Sequence, residues 1–105
     1  MARPEKLLPD ELASFFASHP EWKGDSSSIA RTYTFPGYAE AVGFTMAVAL
    51  VAERKDHHPD IMLSWGKVEV RWSTHDAGGV TSLDAELADA GDGLYRVKPK
   101  GVNAQ

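Results

Sequence analysis

The chain has 105 residues, 43% hydrophobic and 25% charged, with a net charge of −4 and no cysteine. That size and balance suit one domain with one apolar core rather than two domains or a disordered tail. Disulfides, thiolate metal sites and cysteine nucleophiles are excluded, and the acidic balance argues against a nucleic-acid partner, whose phosphates demand clustered lysine and arginine.

The opening segment MARPEKLLPDE has no apolar run followed by small residues, and no later stretch approaches the length of a membrane span. A cytoplasmic protein with no membrane association is therefore expected. In PDELASFFASHP, Pro9 and Asp10 suit a helix start, Leu12, Phe15 and Phe16 form an apolar stripe, and Pro20 ends the element. EWKGDSSSIARTYTF carries a turn signal at Gly24 to Ser28 between two short extended runs, which predicts a β-hairpin. From Pro36 to about Arg54, Ala41, Phe44, Val48 and Val51 recur at helical spacing. That predicts a long helix with the proline in its first turn and basic residues at its end.

DIMLSWGKVEVRWSTH then places Ile61, Leu63 and Trp65 before a break at Gly66, and alternates Val68, Val70 and Trp72 with polar residues. Two antiparallel strands are predicted, with Trp65 and Trp72 as sheet-packing residues and His75 on the polar side beyond Trp72. TSLDAELADAG opens on a Thr81-x-x-Asp84 pattern akin to a capping box and predicts a third helix that stops at Gly91. The order α-β-β-α-β-β-α gives an α+β class: a four-stranded antiparallel sheet with three helices packed on one face and the other face polar. One domain across 1–105 is expected, with a loose tail from about residue 93.

Three of the chain's four histidines fall in RKDHHPDIM and STHDAGG, at positions 57, 58 and 75. Imidazole is the side chain that holds or releases a proton near neutrality, so three around one pocket supply both a base and an acid. Pro59 biases His58 toward extended backbone and ends the long helix ahead of it. His75 follows a strand, and the Gly78-Gly79 turn would let backbone approach a ligand. Asp56, Asp76 and Asp84 are candidate partners for an imidazole N–H. Asp84 alternatively caps the third helix, Asp76 alternatively shapes the turn, and Glu53 reads as a solvated charge at a helix end. His19, beside Pro20, reads as a satisfied structural histidine. A zinc site is a second reading of three histidines, but adjacent residues in extended chain point to opposite sides, so His57 and His58 are poorly placed to share an ion.

The segment HHPDIMLSWGKVEVRWSTHDAGGVTSLDAELA resembles the core motif of the pterin-4a-carbinolamine dehydratases, in which His-His-Pro is followed by Thr-His-Asp and then by Gly, Thr or Ser, Asp and Leu-Ala. EWKG and IARTYTFPGYAEAVGF fit its upstream half, so the similarity runs from about Trp22 to Ala88. The resemblance implies the α+β fold, homodimers joined edge to edge through their sheets, and homotetramers in some members. It also implies dehydration of a 4a-hydroxytetrahydropterin to quinonoid dihydropterin, recycling the cofactor of aromatic amino-acid hydroxylases, with no metal and no organic cofactor.

Carried over by position, the family's catalytic histidines fall on His57, His58 and His75. Its pterin-contacting segments fall on Asp56, His57 and His58 and on Ser73, Thr74, His75 and Asp76, and its supporting acids on Glu53 and Asp84. On this reading His57 and His75 exchange protons with substrate, His58 holds the pterin, and backbone near Ser73 and Thr74 bonds its amide edge. Some members of the fold act instead as binding partners, one dimerising a transcription factor and others assisting Rubisco assembly without an intact histidine set. Retention of all three histidines favours the enzyme. Two departures stand out: Trp65 where the family commonly has tyrosine, and glycines in DAGDGLYRVKPKG that predict a shortened last helix.

Overall fold

The computed structural model describes residues 4–96. Helices α1 (Pro9–Ser18), α2 (Tyr38–Arg54) and α3 (Ser82–Arg96) alternate with strands β1 (Lys23–Gly24), β2 (Ile29–Thr34), β3 (Asp60–Ser64) and β4 (Lys67–Trp72) in the order read from the sequence. The strands make one antiparallel sheet with spatial order β1-β2-β4-β3.

Local chemistry sets these elements. Pro9 opens α1, and the Glu11 carboxylate reaches back to the Leu8 N–H at 2.8 Å, satisfying a donor that the first turn leaves open. The β1–β2 turn is held by Asp25, whose carboxylate accepts the Ser27 N–H at 2.8 Å. The Ser27 hydroxyl, which donates to the same oxygen, and then this N–H hold Asp25 below the usual carboxylate range. In β4 the alternation is strict: Val68, Val70 and Trp72 are buried while Lys67 and Arg71 are exposed. Register places Tyr33 opposite Val68, Ile29 opposite Trp72 and Ile61 opposite Val70, so three strands share one apolar face. Phe15 from α1, Phe44 and Val48 from α2 and Leu87 from α3 close over it. Each fully buried Val, Leu or Phe side chain contributes about 1.5–3 kcal/mol. The opposite face is mainly polar, with Met62 its exposed apolar exception.

Four details differ from the sequence reading. α2 begins at Tyr38 with Gly37 as its cap, so Pro36 lies just outside it, and its buried stripe ends on Ala52 rather than Val51. Trp65 is not a sheet-packing residue: it sits 70% exposed in the turn between β3 and β4, where Gly66 takes a φ of 71° to reverse the chain. α3 does not stop at Gly91 but runs on to Arg96. Glycine there serves close approach, not termination: a Cβ would lie 3.2 Å from the Tyr33 hydroxyl, tighter than an ordinary contact. Residues 93–96 of the expected loose tail are thus helical, and the rest of that tail lies outside the described residues. Among the described residues no helix is long and apolar enough to cross a membrane.

Candidate active site

The C-terminus of α2 delivers the histidine pair. The Asp56 N–H bonds the Glu53 carbonyl and the His57 N–H bonds the Ala52 carbonyl, both at 3.1 Å, the pattern of a helix closed by one left-handed residue. That residue is Asp56, at φ 51°, where glycine is usual; aspartate is among the side chains that tolerate the conformation. The chain then turns sharply enough to bury His57, while His58 remains exposed on the other side.

The second segment begins where β4 ends at Trp72, short of His75. Thr74 and Gly79 exchange backbone bonds of 3.0 and 3.2 Å, closing a small loop. Within it a single 3-10 turn, His75–Ala77, presents an exposed imidazole. Glycine at 79 is required by the chain itself rather than by a ligand, because a Cβ there would collide with the Ser26 carbonyl.

The two segments meet at a cleft of about 260 Å³ lined by Asp56, His57, His58, Ser73, Thr74, His75 and Asp76. Glu53 and Asp84 stand behind it. Glu53 bonds His58 Nε2 at 2.8 Å, so it is more than a solvated end charge although it is well exposed. A wider groove of about 630 Å³ lies elsewhere, lined by Lys6, Leu7, Pro9, Leu12, Ala13, Phe16 and Ser26, and offers no imidazole or carboxylate.

His57 has the most constrained environment. Its ring lies nearly parallel to Trp72 with centroids 5.8 Å apart, and its Nε2 is 2.6 Å from Asp84 Oδ1. Asp84 is fully buried, and its second oxygen accepts the Thr74 hydroxyl at 2.7 Å and the Thr81 N–H at 2.9 Å. A carboxylate to which donors converge on both oxygens acts as the acceptor, which assigns the ring proton to Nε2. His57 therefore meets the cleft with the rest of its ring, whose one remaining polar atom, Nδ1, bonds no described group. Asp84 is at once the partner of an imidazole and, through the Thr81 N–H, the reverse half of a capping box for α3.

His75 makes no side-chain bond among the described residues. Its neighbour Asp76 also lines the cleft. His19 is half-buried outside it, stacked on Phe15 at 4.3 Å and bonded to Asp89 at 3.2 Å, a structural histidine. The sequence reading missed Thr81 behind Asp84 and the stacking of Trp72 on His57. The Thr-x-x-Asp spacing marked the first only as a helix cap. Among the described residues no three His, Asp or Glu side chains are disposed as a metal-binding group.

A family model described as Pterin 4 alpha carbinolamine dehydratase matches residues 5–94. The chain belongs to this family. Curated members that it resembles carry the name "Putative pterin-4-alpha-carbinolamine dehydratase". One from Bradyrhizobium sp. (strain ORS 278) is 54% identical over 86% of this chain and 92% of its own length. One from Natronomonas pharaonis is 41% identical over 86% of this chain and 96% of its own length. Among solved structures, a transcriptional coactivator/pterin dehydratase from Brucella melitensis superposes with a TM-score of 0.81 at 29% identity, covering 87% of this dehydratase-family chain and 99% of its own. A pterin dehydratase-like protein described as a RuBisCO assembly factor in the alpha-carboxysome shares the fold, with a TM-score of 0.60 at 20% identity over 73% of this chain and 89% of its own.

Proposed function

We propose that the protein dehydrates a 4a-hydroxytetrahydropterin to quinonoid dihydropterin and water, with His57 and His75 exchanging protons and His58 steadying the pterin. The observation that carries this reading is the convergence of the three imidazoles on one cleft from two separate segments. In the reaction the C4a–O bond breaks, the N5–H proton is lost and a C4a=N5 bond forms. The departing hydroxyl needs a proton and N5 must give one up. His57, with Nε2–H committed to Asp84, keeps Nδ1 as a lone pair suited to accept the N5 proton. His75, exposed and without a side-chain partner among the described residues, is suited to deliver the other and to recover it from solvent.

The rim charges fit a ring system without phosphate. Asp56 and Asp76 are the charged residues lining the cleft beside the imidazoles, and neither lysine nor arginine joins them. The purified protein should accelerate dehydration of a 4a-carbinolamine in a stopped-flow assay, at a rate unchanged by chelator. Equal rates with and without protein would reject the enzyme in favour of a binding module, as the coactivator named in the Brucella protein's description suggests. Loss of rate on chelation would instead restore a zinc site.

The same reading takes a homodimer or homotetramer as the working form. Met46 and Leu50 on α2, and Met62 and Trp65 on and beside the edge strand β3, are each at least 60% exposed, apolar surface that suits burial against a second copy. Sedimentation velocity should return a species of at least twice the chain mass; a monomer at micromolar concentration would contradict it.

A further inference from the structure

We propose that Thr81, which does not line the cleft, is a positioning residue for the acid–base chemistry: its hydroxyl holds Thr74 and Asp84 so that the His57 Nε2–H keeps one acceptor and the ring one orientation. The inference rests on the dehydratase reading for its kinetic half, and on geometry alone for its structural half.

Thr81 stands at the N-terminal boundary of α3, and its carbonyl accepts the Ala85 N–H at 3.2 Å. A threonine in that position ordinarily turns its hydroxyl to an open N–H of the first turn. Here it does not. The hydroxyl faces inward, 3.0 Å from Thr74 Oγ1 and 3.3 Å from Asp84 Oδ2. A capping bond has been exchanged for a place in the buried network.

Proton counting shows what the place is for. The carboxylate accepts only, and each hydroxyl has one proton to give. Thr74 gives its proton to Asp84 Oδ2, the shortest contact it makes, at 2.7 Å. Thr81 can then give its own only to Thr74 Oγ1 or to the same Oδ2. Either way the hydroxyl protons and the Thr81 N–H converge on one side of Asp84, and Oδ1 is left to His57 Nε2–H alone, at 2.6 Å. Thr74 Oγ1 also lies 3.4 Å from His57 Nε2. Without the Thr81 hydroxyl, the free lone pairs of Thr74 have that ring N–H as their remaining buried donor. The imidazole proton is then shared between two acceptors, and the ring is no longer held to one line. A displacement of this kind behind a reacting group costs rate rather than binding.

Thr81→Val, matched in shape, is expected to lower kcat for dehydration by about tenfold to a hundredfold, with KM nearly unchanged, while Thr81→Ser restores the rate. Long-range ¹H–¹⁵N spectra of the imidazoles test the same point without turnover. His57 in the unsubstituted protein should show a protonated Nε2 and a bare Nδ1, and in Thr81→Val a shifted or exchange-broadened Nε2–H signal with Nδ1 still bare. Unchanged kcat and an unchanged His57 spectrum in folded Thr81→Val would overturn the proposal and leave the dehydratase reading standing. If the unsubstituted protein showed no dehydration, that reading would fall while the spectra still decided the role of Thr81. Should Thr81→Val not fold, the Nδ1–H tautomer in the unsubstituted protein would overturn the proposal by itself.

Discussion

Replacing His75 with alanine is expected to lower the dehydration rate by about 10²- to 10⁴-fold, the span usual for one positioned acid–base group. His19→Ala should leave the rate within about twofold, in line with surface changes remote from chemistry. The contrast is informative because the two rings occupy opposite circumstances. His75 is exposed, begins a one-turn helix and bonds no other side chain among the described residues, so its loss removes little that holds the fold. His19 packs on Phe15 and bonds Asp89 on α3, so its loss is felt in stability before it is felt in rate.

His57 is the less clean target. Its removal would strand the buried Asp84 carboxylate, and a fall in rate would mix lost chemistry with local unfolding. The double variant with His57→Gln and His75→Ala adds a second reading. If both imidazoles serve one proton circuit, their combined loss should be far smaller than the product of the single losses. Rates would be measured by stopped-flow on variants whose circular dichroism matches the parent. Comparable rates for His75→Ala and His19→Ala would undo the site assignment.

Much of this architecture was legible because strand and helix periods are local. Val68, Val70 and Trp72 alternate with Lys67, Glu69 and Arg71 in the sequence, and a period of two has only one physical reading once a single face is buried. The histidines were legible for a related reason: Pro59 and the glycine-rich turn after His75 mark where regular structure ends and side chains are released to a loop. What failed was whatever depended on contacts distant in sequence. Gly91 reads as a stop, yet its lack of a side chain answers to the Tyr33 hydroxyl across the core. Trp65 reads as packing, but its turn aims it at solvent. Asp84 reads both as a helix cap and as a candidate imidazole partner, and nothing in the Thr81-x-x-Asp84 spacing indicates which imidazole it meets, 27 residues earlier. Helix caps and carboxylates that hold an imidazole use the same side chains, and only the fold says which donor arrives.

The other large effect concerns Asp92, in a network that no motif or spacing in the sequence signals. This carboxylate is buried and accepts the Trp22 indole N–H at 3.0 Å, the Tyr33 hydroxyl at 2.6 Å and the Arg31 guanidinium at 2.8 Å. It thereby ties α3 to β2 and to the segment just before β1. Arg31 in turn lies over the Tyr33 ring, 4.5 Å from its centroid. Asp92→Ala would take from the Trp22, Arg31 and Tyr33 donors the buried acceptor that they share. Removing one partner of a buried, hydrogen-bonded ion pair costs about 3–5 kcal/mol. Against a typical domain stability of about 5–15 kcal/mol, that is a large share of the whole.

Urea titration should show the loss as a lower midpoint with an unchanged slope. A shift worth less than about 1 kcal/mol would mean that the network contributes no more than an ordinary hydrogen bond. Alkali supplies a second check. Burial, and then the Asp92 carboxylate, push the Tyr33 hydroxyl far above the ordinary tyrosine range. Folded Tyr33 therefore keeps its proton where the unfolded chain loses it, near pH 10. Its contribution to stability is complete below that pH and declines as the pH rises further, because ionisation then favours the unfolded state. Tyr33→Phe should flatten part of that decline while lowering stability at neutral pH through the bond it removes. No member of this network lines the histidine cleft, so dehydration per folded molecule should survive Asp92→Ala even as the folded fraction falls.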